Sequence, residues 1–156
     1  MELLVTFFLA SIFFSFLCSI LEAVLLSITP AYVGLQEQAS TRIANDLARF
    51  KEDIDRPLAA ILTLNTTAHT VGAIGVGSQA TVIFGESNIR LLGQSVITWE
   101  ALIAGGMTLC ILIFSEVIPK TIGANNWEPL TPFTVRTLKV MLVVLAPFVW
   151  MSQFIT

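Results

Sequence analysis

Three apolar runs dominate this sequence, and each is long enough to cross a lipid bilayer as a helix. A membrane-spanning helix needs about 20 consecutive, mostly apolar residues. Residues 3–28, 57–84 and 97–119 meet this length, and they contain only three charged side chains between them. The first run has no positively charged segment before it and is longer than the apolar core of a secretory signal, so we predict a retained span.

The composition agrees with a membrane environment. Charged residues make up 12% of the chain and hydrophobic residues 55%, whereas soluble domains carry about 25% charged residues. The formal net charge of −3 provides no basic surface, so no nucleic-acid partner is expected. Cys18 and Cys110 lie within the apolar runs and are interpreted as small buried hydrophobic residues, not as disulfide partners or metal ligands.

Positive charges are concentrated in one interval between the runs. Residues 29–56 contain four of the eight Lys and Arg residues, whereas Arg90 alone lies between the second and third runs. Cytoplasmic segments are enriched in Lys and Arg, so we predict that 29–56 is cytoplasmic and that the N-terminus and the 85–96 loop are external. Pro30 and the helical spacing of apolar residues predict one or two short helices at 30–55, with a solvated linker as the alternative.

The last apolar segment, residues 133–156, admits two interpretations. Its length would allow a fourth span, which hydropathy alone marginally favours. Arg136 and Lys139 lie on one side of its first turns, and Pro147 removes a backbone donor in its middle. These features are also typical of a helix that lies in the membrane interface, so both placements stay open at this point.

Polar side chains within the spans are the candidates for function, because an ionisable side chain costs about 2.5–3.5 kcal/mol to insert. In span one, four polar residues share one helix face, since they are spaced by four, four and three positions: Ser11, Ser15, Ser19 and Glu22. For Ser11 and Ser15 we favour hydrogen bonds to their own or a neighbouring helix. Glu22 lies near the cytoplasmic end, where water could reach it.

Spans two and three add further polar groups. Asn65 and His69 are one helical turn apart in span two, and His69 is interpreted as a hydrogen-bonded core histidine. In span three, Glu116 lies three residues before Pro119, which frees the carbonyl of Ser115 and is expected to make the helix end irregular. A carboxylate beside free carbonyls suits a cation, because hydroxyl, amide, carboxylate and carbonyl oxygens are the hard ligands of Mg²⁺, Ca²⁺ and Na⁺.

Three segments, in order along the chain, resemble one known family. Residues 115–123 (SEVIPKTIG) are similar to the G-E-[VI]-[IT]-P-K-[ST] signature of the CNNM/CorC magnesium transporter family. Residues 18–22 with Ser27 are similar to its F-S-G-S-E…S segment, and residues 64–66 to its G-N-[TN] segment. The resemblance covers essentially the whole chain.

The resemblance implies a fold. We expect an all-α integral membrane domain, homodimeric and located in the cell (inner) membrane, with its C-terminus in the cytoplasm. Three transmembrane helices are expected at 3–28, 57–84 and 97–119, short cytoplasmic helices at 30–55, and a juxtamembrane interfacial helix at 132–156. The family continues into cytosolic CBS domains, which bind adenine nucleotides, so we expect this chain to be a piece of a longer protein.

The resemblance also implies a site. The family's cation ligands correspond to Ser19, Asn65, Glu116 and a backbone carbonyl near Gly123, with Glu22 as an additional candidate.

Three positions depart from the family motifs. Ile20 and Leu21 replace the Gly and Ser before the glutamate of span one, and Ser115 replaces the Gly before the glutamate of span three. These changes remove one hydroxyl and some backbone freedom from span one.

We therefore predict a transporter and not an enzyme. The chain is expected to move Mg²⁺ across the membrane, exporting it from the cytoplasm, with Na⁺ as a candidate coupling ion. The alternative is a non-transporting membrane anchor or regulatory domain with a structural cation. A membrane enzyme ranks third, because no nucleophile–base pair or metal-hydrolase motif is present.

Two further predictions concern access and assembly. The predicted ligands lie toward the cytoplasmic ends of the spans, so the site is expected to open inward and to select Mg²⁺ over Ca²⁺ by size. A dimer is expected through spans two and three, where Ala68, Gly72 and Val76 share one face and Gly105 and Gly106 follow in span three.

Overall fold

A computed structural model describes residues 2–84, 88–91 and 94–153 of the chain. Its helical elements are, in order, α1 (Glu2–Ser27), α2 (Pro30–Gln38), α3 (Ala44–Glu52), α4 (Asp55–Phe84), α5 (Trp99–Cys110), a π-helical segment (Ile111–Val117), α6 (Ile118–Asn125), α7 (Trp127–Val144) and α8 (Ala146–Gln153). Between α4 and α5 lies a short antiparallel hairpin of β1 (Asn88–Leu91) and β2 (Gln94–Thr98). The sequence predicted only a loop there, so the hairpin is a small addition to an otherwise helical fold.

Within the described residues, three helices are long and apolar enough to cross a membrane. They cover Glu2–Ser27, Asp55–Gln79 and Thr108–Asn125. The prediction of three spanning helices is therefore confirmed. Apolar side chains on their outer faces are widely exposed, for example 67% at Ile74, because lipid rather than protein surrounds such faces.

Span three continues beyond the predicted end at residue 119. Pro119 has no amide hydrogen and cannot bond back to Ser115. The helix widens into a π-helix just before this point, and the amide of Ile118 bonds to the carbonyl of Ile113 five residues earlier. The wider turn allows the helix to pass the proline, and α6 then runs on to Asn125.

Two short helices, α2 and α3, follow span one, as predicted for residues 30–55. The hydroxyl of Thr29 accepts a hydrogen bond from the amide of Tyr32, and Pro30 occupies the first position of α2. Such a cap and an early proline are typical of helix starts. Lys51 of α3 donates to the carbonyl of Leu25 in the last turn of α1, at 3.2 Å, and burial lowers the pKa of Lys51.

The core is built on α1, which packs against α4, α6, α7 and the π-helical segment. Its fully buried residues include Cys18 and Leu21, which meet Leu47 of α3, Ile61 of α4 and Leu138 of α7 in one apolar cluster. Cys18 is thus a small buried hydrophobic residue, as interpreted from the sequence.

The last apolar segment forms two helices rather than one helix at 132–156. α7 begins earlier than predicted, at Trp127. It ends at Val144, and α8 begins after the capping residue Leu145. One face of α7 is buried against the bundle, and two contacts tie this helix to the short helices. The rings of Trp127 and Tyr32 meet edge to face at 5.0 Å, and Lys139 pairs with Asp46 at 2.9 Å.

The small-residue face of span two packs inside the chain. Val76 is 2% exposed and lies among apolar residues of α1. On the same side, a Cβ atom on Gly75 would lie 2.5 Å from the ring of Phe7. The face of Ala68, Gly72 and Val76, predicted to contact a second copy, is instead used by α1 of the same chain, because small residues let these two helices approach closely.

Candidate cation site

The polar face of α1 is buried against the other spans. Ser11, Ser15 and Ser19 are 3%, 0% and 0% exposed, and Glu22, one turn further along, has a side chain that is 22% exposed. Since α1 contacts α4, the π-helical segment and α6, polar groups on this face can meet partners from both of the other spans.

The first two serines are used in hydrogen bonds between helices. Ser11 Oγ donates to the carbonyl of Ala68 at 3.0 Å. Ser15 Oγ lies 2.6 Å from Nε2 of His69, and it accepts a hydrogen bond from the hydroxyl of Ser115 at 2.9 Å. The sequence-based interpretation of Ser11 and Ser15 as residues that bond their own or a neighbouring helix, and of His69 as a hydrogen-bonded core histidine, agrees with these contacts.

Ser19 and Asn65 differ from Ser11 and Ser15 in that their side-chain oxygens lack hydrogen-bond partners among the described residues. Ser19 Oγ and Asn65 Oδ1 are buried and have no hydrogen-bond partner among the described residues. Leaving a buried polar group unpaired costs about 1–3 kcal/mol, and most buried polar groups in native proteins have a partner. Both atoms can donate electron pairs to a cation, so they meet the requirement for two of the predicted ligands.

The two acidic residues of the predicted site share one lysine. Lys120 Nζ lies 3.2 Å from Oε1 of Glu116 and 3.4 Å from Oε2 of Glu22. The two carboxylates are therefore both within ion-pair distance of a single positive charge, although they come from different spans. Lys120 was not among the predicted site residues, but its position four residues after Glu116 is the spacing of a helical ion pair and could have indicated it.

The backbone of span three is unusual at two points of the site. Glu116 lies in the π-helical segment, a geometry found frequently at functional sites. A Cβ atom on Gly123 would lie 3.0 Å from both the carbonyl oxygen of Ile20 and Cβ of Ala23. Only glycine allows this approach without displacement, so α6 lies directly against the turn of α1 that follows Ser19.

Direct contacts join part of the predicted ligand set. Glu22 and Glu116 are linked through Lys120, and Gly123 contacts Ile20, the neighbour of Ser19. No hydrogen bond or ion pair among the described residues joins Asn65 to span three. The convergence of all the predicted ligands on one ion remains a prediction.

One buried oxygen was not anticipated. Thr134 Oγ1 on α7 is also without a hydrogen-bond partner among the described residues, and the residue is 0% exposed. It belongs to the apolar segment at 133–156, where no sequence pattern distinguishes it from Thr137. Burial on the inner face of α7 is visible only once the helices are packed.

Comparison with known proteins gives one family. The model of the CNNM family, described as the cyclin M transmembrane N-terminal domain, matches residues 4–156. A UPF0053 protein of Synechocystis sp. is 31% identical over 143 residues, which are 90% of this chain and 37% of that protein. A UPF0053 protein of Haemophilus influenzae is 28% identical over 135 residues, covering 86% of this chain and 30% of that protein. A chloroplastic DUF21 domain-containing protein of Arabidopsis thaliana is 29% identical over 114 residues, covering 72% and 16%.

The chain thus spans less than two fifths of the length of these relatives. The match extends over almost the whole chain, in agreement with the three short segments that first suggested it. This chain, with its three membrane-spanning helices, belongs to the CNNM transmembrane-domain family.

Proposed function

We propose that this chain carries Mg²⁺ across the membrane and exports it from the cytoplasm. The observation that supports this most directly is the pair of buried oxygens without partners, on Ser19 and Asn65. Both residues stand at positions that match the ligand positions of the family motifs. In this proposal Glu116 supplies the charged ligand, a backbone carbonyl near Gly123 supplies a further neutral oxygen, and Glu22 is an additional candidate.

The proposed ligand set suits a small ion. Mg²⁺ requires about six oxygens at about 2.0–2.1 Å in near-octahedral geometry, whereas Ca²⁺ takes six to eight at longer distances. The ligands come from three separate helices, so helix packing sets their separation and limits expansion around a larger ion. Neutral oxygens with one or two carboxylates bind a divalent ion weakly enough to release it, as conduction and transport require.

Lys120 gives the site a means of release in this proposal. Its ammonium group is within ion-pair distance of both Glu116 and Glu22, so it competes with Mg²⁺ for the same carboxylates. A bound ion must displace this lysine, and the returning lysine neutralises the carboxylates when the ion leaves.

The proposed placement in the membrane follows from charge and contacts. We place α2 and α3 in the cytoplasm because residues 29–56, the interval that contains them, hold four of the five Lys and Arg residues between the predicted spans. The pair of Lys139 with Asp46 ties α7 to this polar layer, and an ion pair of this kind would be costly in the middle of a bilayer. We therefore place α7 and α8 in the cytoplasmic membrane interface, beside the CBS domains of a longer, dimeric protein.

A non-transporting anchor with a structural cation is the second candidate. It is favoured by the same lysine, since Lys120 already balances part of the carboxylate charge without an ion. Cation flux into liposomes that contain the full-length protein separates the two. A transporter is expected to lose Mg²⁺ flux in Glu116→Ala while remaining dimeric, whereas an anchor would show no flux in the wild type and would lose assembly in the variant.

A further inference from the structure

Ser15, His69 and Ser115 form a hydrogen-bonded cluster with one side chain from each spanning helix. Ser115 donates to Ser15 at 2.9 Å, and Ser15 lies 2.6 Å from Nε2 of His69. Both serines are 0% exposed. Because the oxygen of Ser15 accepts from Ser115, the proton of Ser15 is available for Nε2 in the tautomer of His69 in which that nitrogen is unprotonated, and the three side chains form one continuous hydrogen-bonded series.

This cluster lies directly beside the proposed cation ligands along all three helices. In α1, Ser15 precedes the proposed ligand Ser19 by four residues. In α4, His69 follows the proposed ligand Asn65 by four residues. In the π-helical segment, Ser115 precedes the proposed ligand Glu116 by one residue. Four residues correspond to about 6 Å along a helix axis. The helices run in alternating directions, so all three steps lead away from the proposed ligands toward the same side.

The opposite side of the proposed site has a different character. There, Glu22 follows Ser19 in α1 and Lys120 follows Glu116 in span three, and these side chains are charged and partly exposed. A layer of two buried serines and the half-buried His69 therefore bounds the ligand set on one side, and a charged, more accessible layer bounds it on the other.

We propose that Ser15, His69 and Ser115 are positioning residues that hold the three spans at the separation the cation requires and close the site on the side away from Lys120. The inference rests on the proposed function. In lipid, no hydrophobic force presses helices together, so close packing and interhelical hydrogen bonds fix their spacing. Ser115 stands where the family signature has glycine, so this chain gains a hydroxyl that completes the link between spans one and three.

The first test is Mg²⁺ affinity, measured by calorimetry on the purified protein. Loss of a group that orients a metal ligand costs about tenfold or more in affinity, so His69→Ala and Ser15→Ala are expected to bind Mg²⁺ about tenfold more weakly. His69→Gln, which can still hydrogen-bond Ser15, is expected to restore most of the affinity.

Ser11→Ala is the matched control, because Ser11 is also buried and also bonds α1 to α4, one turn further from the ligands. It is expected to lower the melting temperature without changing Mg²⁺ affinity. If Ser11→Ala and Ser15→Ala weakened binding equally, the cluster would be merely structural and the inference would be wrong.

The second test, cysteine labelling, is made without Mg²⁺. Its result therefore does not depend on whether the proposed function is correct. Cys18 is 0% exposed and lies in α1 between Ser15 and Ser19. In a Cys110→Ser background, a methanethiosulfonate reagent should modify Cys18 several-fold faster in His69→Ala than in wild type, and Ser11→Ala should not change the rate.

Wild-type protein that binds no Mg²⁺, or binds it equally well in Glu116→Gln, defeats the proposed function, while Cys18 labelling still reports on the cluster. Glu116-dependent binding that is unchanged in His69→Ala defeats the positioning role. Labelling of Cys18 that stays slow in His69→Ala defeats the closing role.

Discussion

Two serines on one helix face show how strongly the surroundings decide a residue's role. Ser15 and Ser19 have the same side chain, lie four residues apart in α1 and are both fully buried. Ser15 has partners on both other spans, whereas Ser19 has none among the described residues. The unpaired hydroxyl carries a desolvation cost that a ligand would offset, and this makes Ser19 the better candidate for a cation ligand.

The charged carboxylate of Glu116 should contribute more to cation binding than the neutral amide oxygen of Asn65. Replacing the carboxylate of Glu116 by the isosteric amide in Glu116→Gln removes a full negative charge, and we expect Mg²⁺ affinity to fall about 100-fold or more. Asn65→Ala removes one neutral oxygen, and we expect a loss below about tenfold. Calorimetry on the purified protein measures both, with Ca²⁺ as the competing ion. Equal binding by wild type and Glu116→Gln would contradict the assignment.

Lys120 should act as a competitor of the ion. In Lys120→Met the carboxylates of Glu22 and Glu116 lose their shared counter-charge, so we expect Mg²⁺ to bind up to about fivefold more tightly, the scale of a partly exposed ion pair. Lys139→Met is the control, because Lys139 pairs with Asp46 outside the proposed site and should leave affinity unchanged. A weaker affinity in Lys120→Met would mean that the lysine supports binding instead.

At the scale of the element, the backbone of span three has two irregular features close together. The π-helical segment lets the helix pass Pro119, and Gly123 lets the following turn lie against α1. A regular helix with an ordinary side chain at residue 123 would be displaced from α1 by a few tenths of an ångström. Both features therefore set the distance between Glu116 and the polar face of α1.

The close approach at Gly123 can be tested with one methyl group. Gly123→Ala places Cβ about 3.0 Å from the carbonyl of Ile20, and such overpacking costs about 1–3 kcal/mol, so we expect a lower melting temperature in detergent and weaker Mg²⁺ binding. Gly34→Ala is the control, since no atom lies within 4 Å of its added Cβ in α2. Alanine there is expected to stabilise the helix slightly. Equal melting temperatures for the two variants would contradict the close contact.

At the scale of the whole molecule, α1 is the central helix. It contacts both other spans, and α7 packs against it. The small-residue face of α4 is occupied by α1 and so is closed to a second copy. Gly105 and Gly106 of α5, by contrast, have no atom within 4 Å of an added Cβ, so among the described residues this part of α5 is an open small-residue surface, and we expect a second copy to contact it.

The dimer surface can be mapped by disulfide crosslinking in a background without Cys18 and Cys110. Gly105→Cys is expected to crosslink two copies in the membrane, because its surface is open. Val76→Cys is the control and should not crosslink, because Val76 is 2% exposed beneath α1. Crosslinking through Val76→Cys alone would restore the span-two face as the interface.

The orientation in the membrane is open to a similar test. With the native cysteines replaced, a membrane-impermeant maleimide should label Arg90→Cys in the β1 hairpin strand from outside intact cells. Arg42→Cys, in the turn between α2 and α3, should be labelled only after permeabilisation. The opposite pattern would invert the proposed topology and the direction of export.

The sequence alone determined those properties that depend on local composition. The three spans follow from three long apolar runs, although length alone also allowed a fourth span at residues 133–156, and the family follows from short motifs around residues 19, 65 and 116. Tertiary structure alone decided which polar groups meet. Ser15 bonds to residues 54 and 100 positions away, and the packing of α1 on α4 took up the face that sequence reasoning had assigned to a dimer. Such pairings depend on the rotation and separation of packed helices, which side-chain volume across the whole bundle sets, and no local pattern carries that information.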